Sequence, residues 1–196
     1  MILQRLFAGR TSGFYVDVGA HHPTRFSNTY IFYRMGWSGV NIDAQPGSMK
    51  LFRRLRPRDI NIETGVHEVP GEMQYFVFNE PALNGFSREL SVAKDSDDTR
   101  HKIVDEIPVP VRPLGEILSE LDLPAEIDFL SVDVEGLDLP VLRSNNWEKF
   151  KPEVVLAEIR NSSLDELAND PTAQYMAEQG YGIFAKTFNT VIFRRK

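Results

Sequence analysis

Short apolar runs that end on an acid recur along this chain. Phe14-Tyr15-Val16-Asp17-Val18 is the first, with Gly19 behind it; Trp37 to Asp43 is the second and Ile60 to Glu63 the third. Ile127 to Val132 leads into Asp133, and Val154 to Ala157 leads into Glu158. Runs this short, rich in β-branched and aromatic residues, predict buried strands. Between them the apolar period lengthens. Residues 1–10 place Leu3, Leu6 and Phe7 on one side of a short helix. Ser27 to Met35 spaces Tyr30, Ile31 and Met35 for a helix, with Ser27 or Asn28 as N-cap and Gly36 at its end. Pro46 opens the next helix, through Met49, Leu51, Phe52 and Leu55, and Pro57 stops it.

The middle is less regular. Met73 to Phe78 alternates as a strand does, and Asn79 to Ser87 reads as a polar loop. Lys94 to Glu106 is charged and without period, so an exposed or mobile stretch is expected. Ile107 to Arg112 reads as an edge strand, because Pro108 and Pro110 each remove a ladder donor. Pro113 starts a helix through Ile117, Leu118 and Leu121, and Leu139 to Leu142 starts another, with Trp147 and Phe150 capping the core. Thr172 to Gln179 forms the last helix, closed by Gly180. Tyr181 to Ala185 and Thr190 to Phe193 then pair antiparallel around Asn189. Strands alternating with helices, then hairpin strands, predict an α/β fold. The expected form is a mainly parallel, Rossmann-like sheet with helices on both faces and an antiparallel edge. The chain, 1–196, reads as one domain.

Composition narrows the function. A net charge of −6 argues against a general nucleic-acid binder. The chain has no cysteine, which removes disulfides, thiolate metal sites and cysteine nucleophiles and accords with a reducing, cytoplasmic setting. No apolar stretch approaches the ~20 residues of a membrane span, and Met1 to Phe7 is too short for a secretory signal.

Four acids stand where apolar strands end: Asp17, Asp43, Asp133 and Glu158. In an open parallel sheet those ends share one rim, where ligands bind. An acid ending the second strand matches the paired hydroxyls of a nucleoside ribose, which gives Asp43 that role. A pyrophosphate loop needs G-x-G-x-x-G, yet only Gly19 is present; positions 21 and 23 are His and Pro. A nucleoside cofactor without phosphate, S-adenosylmethionine, fits such a loop better than a dinucleotide.

Phe14 to Pro23, Ser27-Asn28-Thr29-Tyr30 and Gly39-Val40-Asn41-Ile42-Asp43 resemble the amino half of FkbM-type S-adenosylmethionine-dependent methyltransferases. Asp128 to Gly136 with Val141-Leu142 resembles that family's second signature, and Asn84 to Ser87 and Val154 to Glu158 extend the likeness. Many members carry Asn and Gly where this chain has His21 and Pro23. The resemblance implies a class I methyltransferase fold with a seven-stranded sheet. It also implies O-methylation, often of sugars in glycans or glycosylated metabolites, hence a role in polysaccharide biosynthesis.

Several residues then become candidates. Asp17, Gly19, Ala20, His21, Asp43, Ala44, Gly65, Val66 and Asp133 are the expected cofactor contacts. Asn84, Phe86 and Ser87 are expected to face the acceptor, a carbohydrate or glycosylated small molecule. A sugar hydroxyl needs a base or a metal to lose its proton. Asp133, His22 and His21 are the catalytic candidates; Asp133, Glu135 and Glu158 could hold Mg²⁺ through oxygen ligands. Arg53, Arg54, Arg56 and Arg58 read as a solvated helix face, or as a surface for an anionic glycan. Two other readings stay open: a nicotinamide-dependent oxidoreductase on a similar sheet, and a non-catalytic glycan- or partner-binding module. The absence of a Tyr followed four residues later by Lys speaks against the first.

Overall fold

The computed structural model describes residues 2–97, 100–160 and 162–196. Met1, expected in the first helix, and Asp98 and Thr99, expected in the charged stretch, lie outside the described residues. In chain order the strands are β1 (Phe14–Val18), β2 (Ser38–Asp43), β3 (Ile60–Glu63), β4 (Gly65–Val66), β5 (Gly71–Phe78), β6 (Ile103–Arg112), β7 (Phe129–Val132), β8 (Val154–Glu158), β9 (Tyr181–Lys186) and β10 (Thr190–Arg195). The helices are α1 (Ile2–Leu6), α2 (Tyr30–Arg34), α3 (Met49–Leu55), α4 (Arg88–Asp97), α5 (Leu114–Ser119), α6 (Asp138–Arg143) and α7 (Pro171–Glu178).

A seven-stranded sheet runs β3-β2-β1-β7-β8-β10-β9. Its first five strands are parallel, and β10 is antiparallel to both β8 and β9. This is the expected α/β architecture, with its antiparallel edge hairpin. Strand side chains alternate between two cores, as the two-residue period requires. Val16, Val18, Val40, Ile42, Leu130 and Val132 pack with Leu114, Ile117, Leu118 and Leu142. On the other face Tyr15, Phe129, Val154 and Leu156 pack with Leu3, Phe7, Phe32 and Trp37. Phe7, Phe32, Trp37 and Phe129 form one aromatic cluster there, which anchors α1 and α2.

Two expectations about the middle of the chain give way. The charged stretch Lys94 to Glu106 is exposed in part, as expected, but it begins inside α4 and ends inside β6. Its polar residues form no apolar stripe, so nothing in the pattern announced either element. Strand β6 also starts earlier than expected and is the middle strand of a second sheet, β4-β6-β5, rather than its edge. β4 pairs only with Val111 and Arg112, while β5 pairs along the length of β6. Thr64 Oγ1 donates to the Pro110 carbonyl from the β4 side (3.3 Å). That side is the sparsely paired one, where prolines 108 and 110 forfeit little.

The basic cluster of α3 and the turn after it is divided. Arg53, Arg54 and Arg58 are exposed, but Arg56 is fully buried. Its Nε bonds Asp59 Oδ2 (2.8 Å), and its Nη2 donates to the Tyr15 hydroxyl (2.6 Å) and to Thr29 Oγ1 (2.9 Å). Asp59 also accepts from the Gly39 amide and Asn41 Nδ2. Arg56 therefore ties α2 and α3 to β1 and is not part of a solvated face. Capping at α2 falls one position from expectation: Thr29 occupies the N-cap, while Ser27 Oγ accepts from the Thr29 and Tyr30 amides.

Candidate active site

A cavity opens at the carboxyl ends of β1, β2 and β7, where parallel sheets bind ligands. The second sheet and its Pro81–Asn84 turn supply the opposite wall. Its free volume is about 860 Å³, mouth included. Ten of the candidate residues line it: Gly19, His21, Asp43, Ala44, Gly65, Val66, Asn84, Phe86, Asp133 and Glu135.

Gly19 turns the chain out of β1 with φ +80°, and a Cβ there would overlap the Asp133 carbonyl oxygen. Glycine is therefore required at this approach of loop to strand end. Asp43 is buried, and each of its carboxylate oxygens accepts one backbone amide: Oδ1 from Gln45 (2.9 Å) and Oδ2 from His21 (2.8 Å). Burial pushes its pKa up, and those two amides oppose the rise. Each oxygen keeps a further lone pair for a ligand hydroxyl.

Asp133 reaches the cavity from the end of β7. Its pKa is raised to about 7, first by burial, then by the charges of Glu158, Glu135 and Asp17, with Arg160 opposing. Glu135 follows in a left-handed conformation, φ +56°. Lys94 Nζ from α4 grips it at 2.5 Å, and Arg160 pairs with it as well. Tyr75 is buried in the opposite wall, edge-on to Phe86 at 4.9 Å between ring centres. Asn84 spends its amide on the Phe78 N–H (2.7 Å) and Gln45 Oε1 (3.3 Å), which fastens the turn to the loop after β2.

Five candidates stand off the cavity wall. Asp17 is buried beneath the loop and accepts from Thr29 Oγ1 (2.8 Å). Ala20 packs with Met49 and Phe52. His22 Nδ1 accepts the Thr24 (3.1 Å) and Arg25 (3.0 Å) amides, so the nitrogen that would take a proton is already committed to the turn. Burial, then the charges of His21 and Arg25, lower its pKa further. Ser87 opens α4, where its Oγ accepts the Leu90 amide. Glu158 pairs with Arg160 Nε (2.6 Å) and accepts from Asn189 Nδ2 (3.3 Å).

The magnesium arrangement does not fit. Arg160 stands between Glu135 and Glu158, and Lys94 adds a second cation. Among the described residues no group of three histidine or acidic side chains is arranged to hold a metal ion.

Sequence reasoning missed Phe26, Gln45, Thr64 and Tyr75 on the wall. The alternation of Met73 to Phe78 put Tyr75 on a strand face, but the second sheet that carries it to the cavity had no signature. Phe26 lies in a polar run with nothing to mark it.

The chain matches the methyltransferase FkbM domain family over residues 17–183. It belongs to that family. An FkbM methyltransferase domain transfers a methyl group from S-adenosylmethionine. Asp43 and Asp133 line the cavity, and Glu135 beside them is paired with Lys94 and Arg160. Among solved structures, this FkbM domain is similar to the precorrin-6y C5,15-methyltransferase from Geobacter metallireducens GS-15, at 11% identity and a TM-score of 0.42. That match covers 93% of this chain and 78% of the other. No curated protein matches the chain. No helix among the described residues is long and apolar enough to cross a membrane.

Proposed function

We propose that this chain methylates a hydroxyl of a sugar or sugar-bearing metabolite, with Asp133 as the general base. The observation that carries the reading is the Asp133 carboxylate on the cavity wall, beside the Gly19 turn and with its pKa raised to about 7. A base with that proton affinity is half ionised near neutral pH, where general-base work is most effective.

S-adenosylmethionine supplies an electrophilic methyl group when bound. Asp43 takes its ribose hydroxyls, and Ala44, Gly65 and Val66 give the adenine a close-packed seat of small groups. At Gly65 a Cβ would press on Phe86 and Val111, so the strand backbone itself forms that wall. The Gly19 turn allows close approach to the donor's amino-acid end. Asp133 would orient the acceptor hydroxyl and take its proton, and the bound donor would supply the methyl group in line with that oxygen. Asn84 holds the shape of the site through its structural bonds, and Phe86 gives the wall an apolar face. His21 lines the cavity and is the second candidate for the base.

Calorimetry with S-adenosylhomocysteine and with NAD separates the methyltransferase from the oxidoreductase. Transfer of labelled methyl to defined sugars separates it from a non-catalytic binding module. Asp133→Asn is expected to retain S-adenosylhomocysteine binding and lose turnover. Turnover near that of the parent protein removes Asp133 from the base role.

A further inference from the structure

Among the described residues three non-glycine positions have left-handed backbone: His21 at φ +52°, Phe26 at φ +54° and Glu135 at φ +56°. All three line the cavity. Such a backbone crowds any side chain with a Cβ, and it persists where surrounding structure enforces it. For two of them the enforcing contacts are local. The His21 amide is held by Asp43, and the Glu135 carboxylate by Lys94 and Arg160. Phe26 differs. The residue is 77% exposed, so its side chain does not serve the core. A strained backbone and an exposed aromatic ring coincide at one residue, on the mouth of the cavity.

The ring has two neighbours. Phe26 stacks on His21 with 6.4 Å between centres and 22° between planes. The Arg25 guanidinium sits 5.3 Å from the Phe26 ring centre. The two rings make an aromatic platform, and Asp133 and Glu135 bring carboxylates to the same cavity. A platform of this kind attracts polarised C–H bonds, and carboxylates accept from hydroxyls. A saturated ring with a C–H face and a hydroxylated edge matches both.

We propose that Phe26, backed by His21, is the acceptor subsite and stacks on the apolar face of a pyranose ring. This rests on the methyl-transfer reading and adds the residue that selects the acceptor. Phe26 is unfavourable to the empty fold, and its return comes when a ring covers it. Replacing it should therefore leave the fold as stable as before and weaken the acceptor alone.

The test is saturation-transfer NMR on the protein with S-adenosylhomocysteine and three probes: the methyl pyranosides of glucose, galactose and rhamnose. The variants are Phe26→Gly, which relieves the backbone, and Phe26→Tyr, which keeps the platform. At least one pyranoside should receive saturation on its ring C–H protons. Its binding should weaken about tenfold in Phe26→Gly, the scale of one lost aromatic contact, and recover in Phe26→Tyr. The thermal midpoint of Phe26→Gly should match or exceed that of the parent, with S-adenosylhomocysteine affinity unchanged. No pyranoside signal on the parent protein overturns the proposal, and so does equal binding by Phe26→Gly. A lowered midpoint in Phe26→Gly overturns it too, by making Phe26 a structural residue. Failure of S-adenosylhomocysteine to bind the parent overturns the methyl-transfer reading instead, which calorimetry reports separately.

Discussion

Gly19 and Asp133 touch main chain to main chain: a methyl group added at residue 19 would overlap the carbonyl oxygen of residue 133. The contact follows from the pairing of β1 with β7, which continues past the strands as the Asp133 amide donating to the Val18 carbonyl (3.0 Å). Gly19→Ala must therefore move either the loop or the end of β7, in addition to forcing alanine into a left-handed backbone. A loss of about 2–4 kcal/mol in folding stability is expected. Urea unfolding checks it, and calorimetry should show S-adenosylhomocysteine affinity falling with it.

Asp43 holds the two loops that border the cavity, since one oxygen caps the Gln45 amide and the other the His21 amide. Asp43→Asn keeps the size but turns an NH₂ toward one of those N–H groups. About 1–3 kcal/mol of stability should be lost, the range for a buried donor left unpaired. Affinity for S-adenosylhomocysteine should fall about tenfold or more, as the proposed ribose role of Asp43 requires. Calorimetry beside a thermal melt separates the two effects; a full loss of stability with unaltered affinity removes Asp43 from the ribose role.

The sheet was legible because its strands are short apolar runs between breakers. Phe14 to Val18 and Val154 to Ala157 are buried on both faces, so their composition alone marks them. The rim acids Asp17, Asp43, Asp133 and Glu158 were legible as a set, but their division of labour was not. The side chains that meet them in the fold decide it: Thr29 engages Asp17, and Arg160 engages Glu158. Arg56 looks like Arg53 and Arg54 in sequence, and only the approach of Tyr15, Thr29 and Asp59 makes it a core residue. Phe26 carries no pattern because its significance lies in a backbone angle.

Arg56 is the buried member of an otherwise exposed basic run. Arg56→Leu leaves Asp59 inside the protein without its cation, so about 3–5 kcal/mol of stability should be lost. Arg53→Leu, on the exposed face of α3, should change stability by about 0.5 kcal/mol or less. Urea midpoints of the two variants check the contrast, and equal midpoints would show that the Arg56 network adds nothing.

Arg160 fills the place between Glu135 and Glu158 that a divalent cation would need. Methyl transfer should therefore persist in excess EDTA at the rate seen without it. Loss of activity on chelation, with recovery on added Mg²⁺, would show that the ion pairs yield to a metal.

Asp133 gives the sharpest pH dependence. In the unfolded chain its carboxyl titrates near 3.8; in the fold it titrates at about 7, with burial the leading cause. Between those values the native state holds a proton that the unfolded chain has released. Stability contributed by this group is therefore fully present below about pH 4 and is lost as pH rises toward 7. Burial raises Asp17, Asp43 and Asp138 in the same direction. Urea midpoints should fall from mildly acid to neutral pH, less steeply in Asp133→Asn. Turnover runs the other way, because a base must be ionised: kcat/KM for the acceptor should climb through pH about 7 and level above it. Arg160→Gln removes the cation that opposes the rise, so its climb should be displaced to higher pH. A profile flat from pH 6 to 8 in the parent protein would assign the proton transfer to another group, with His21 next in line.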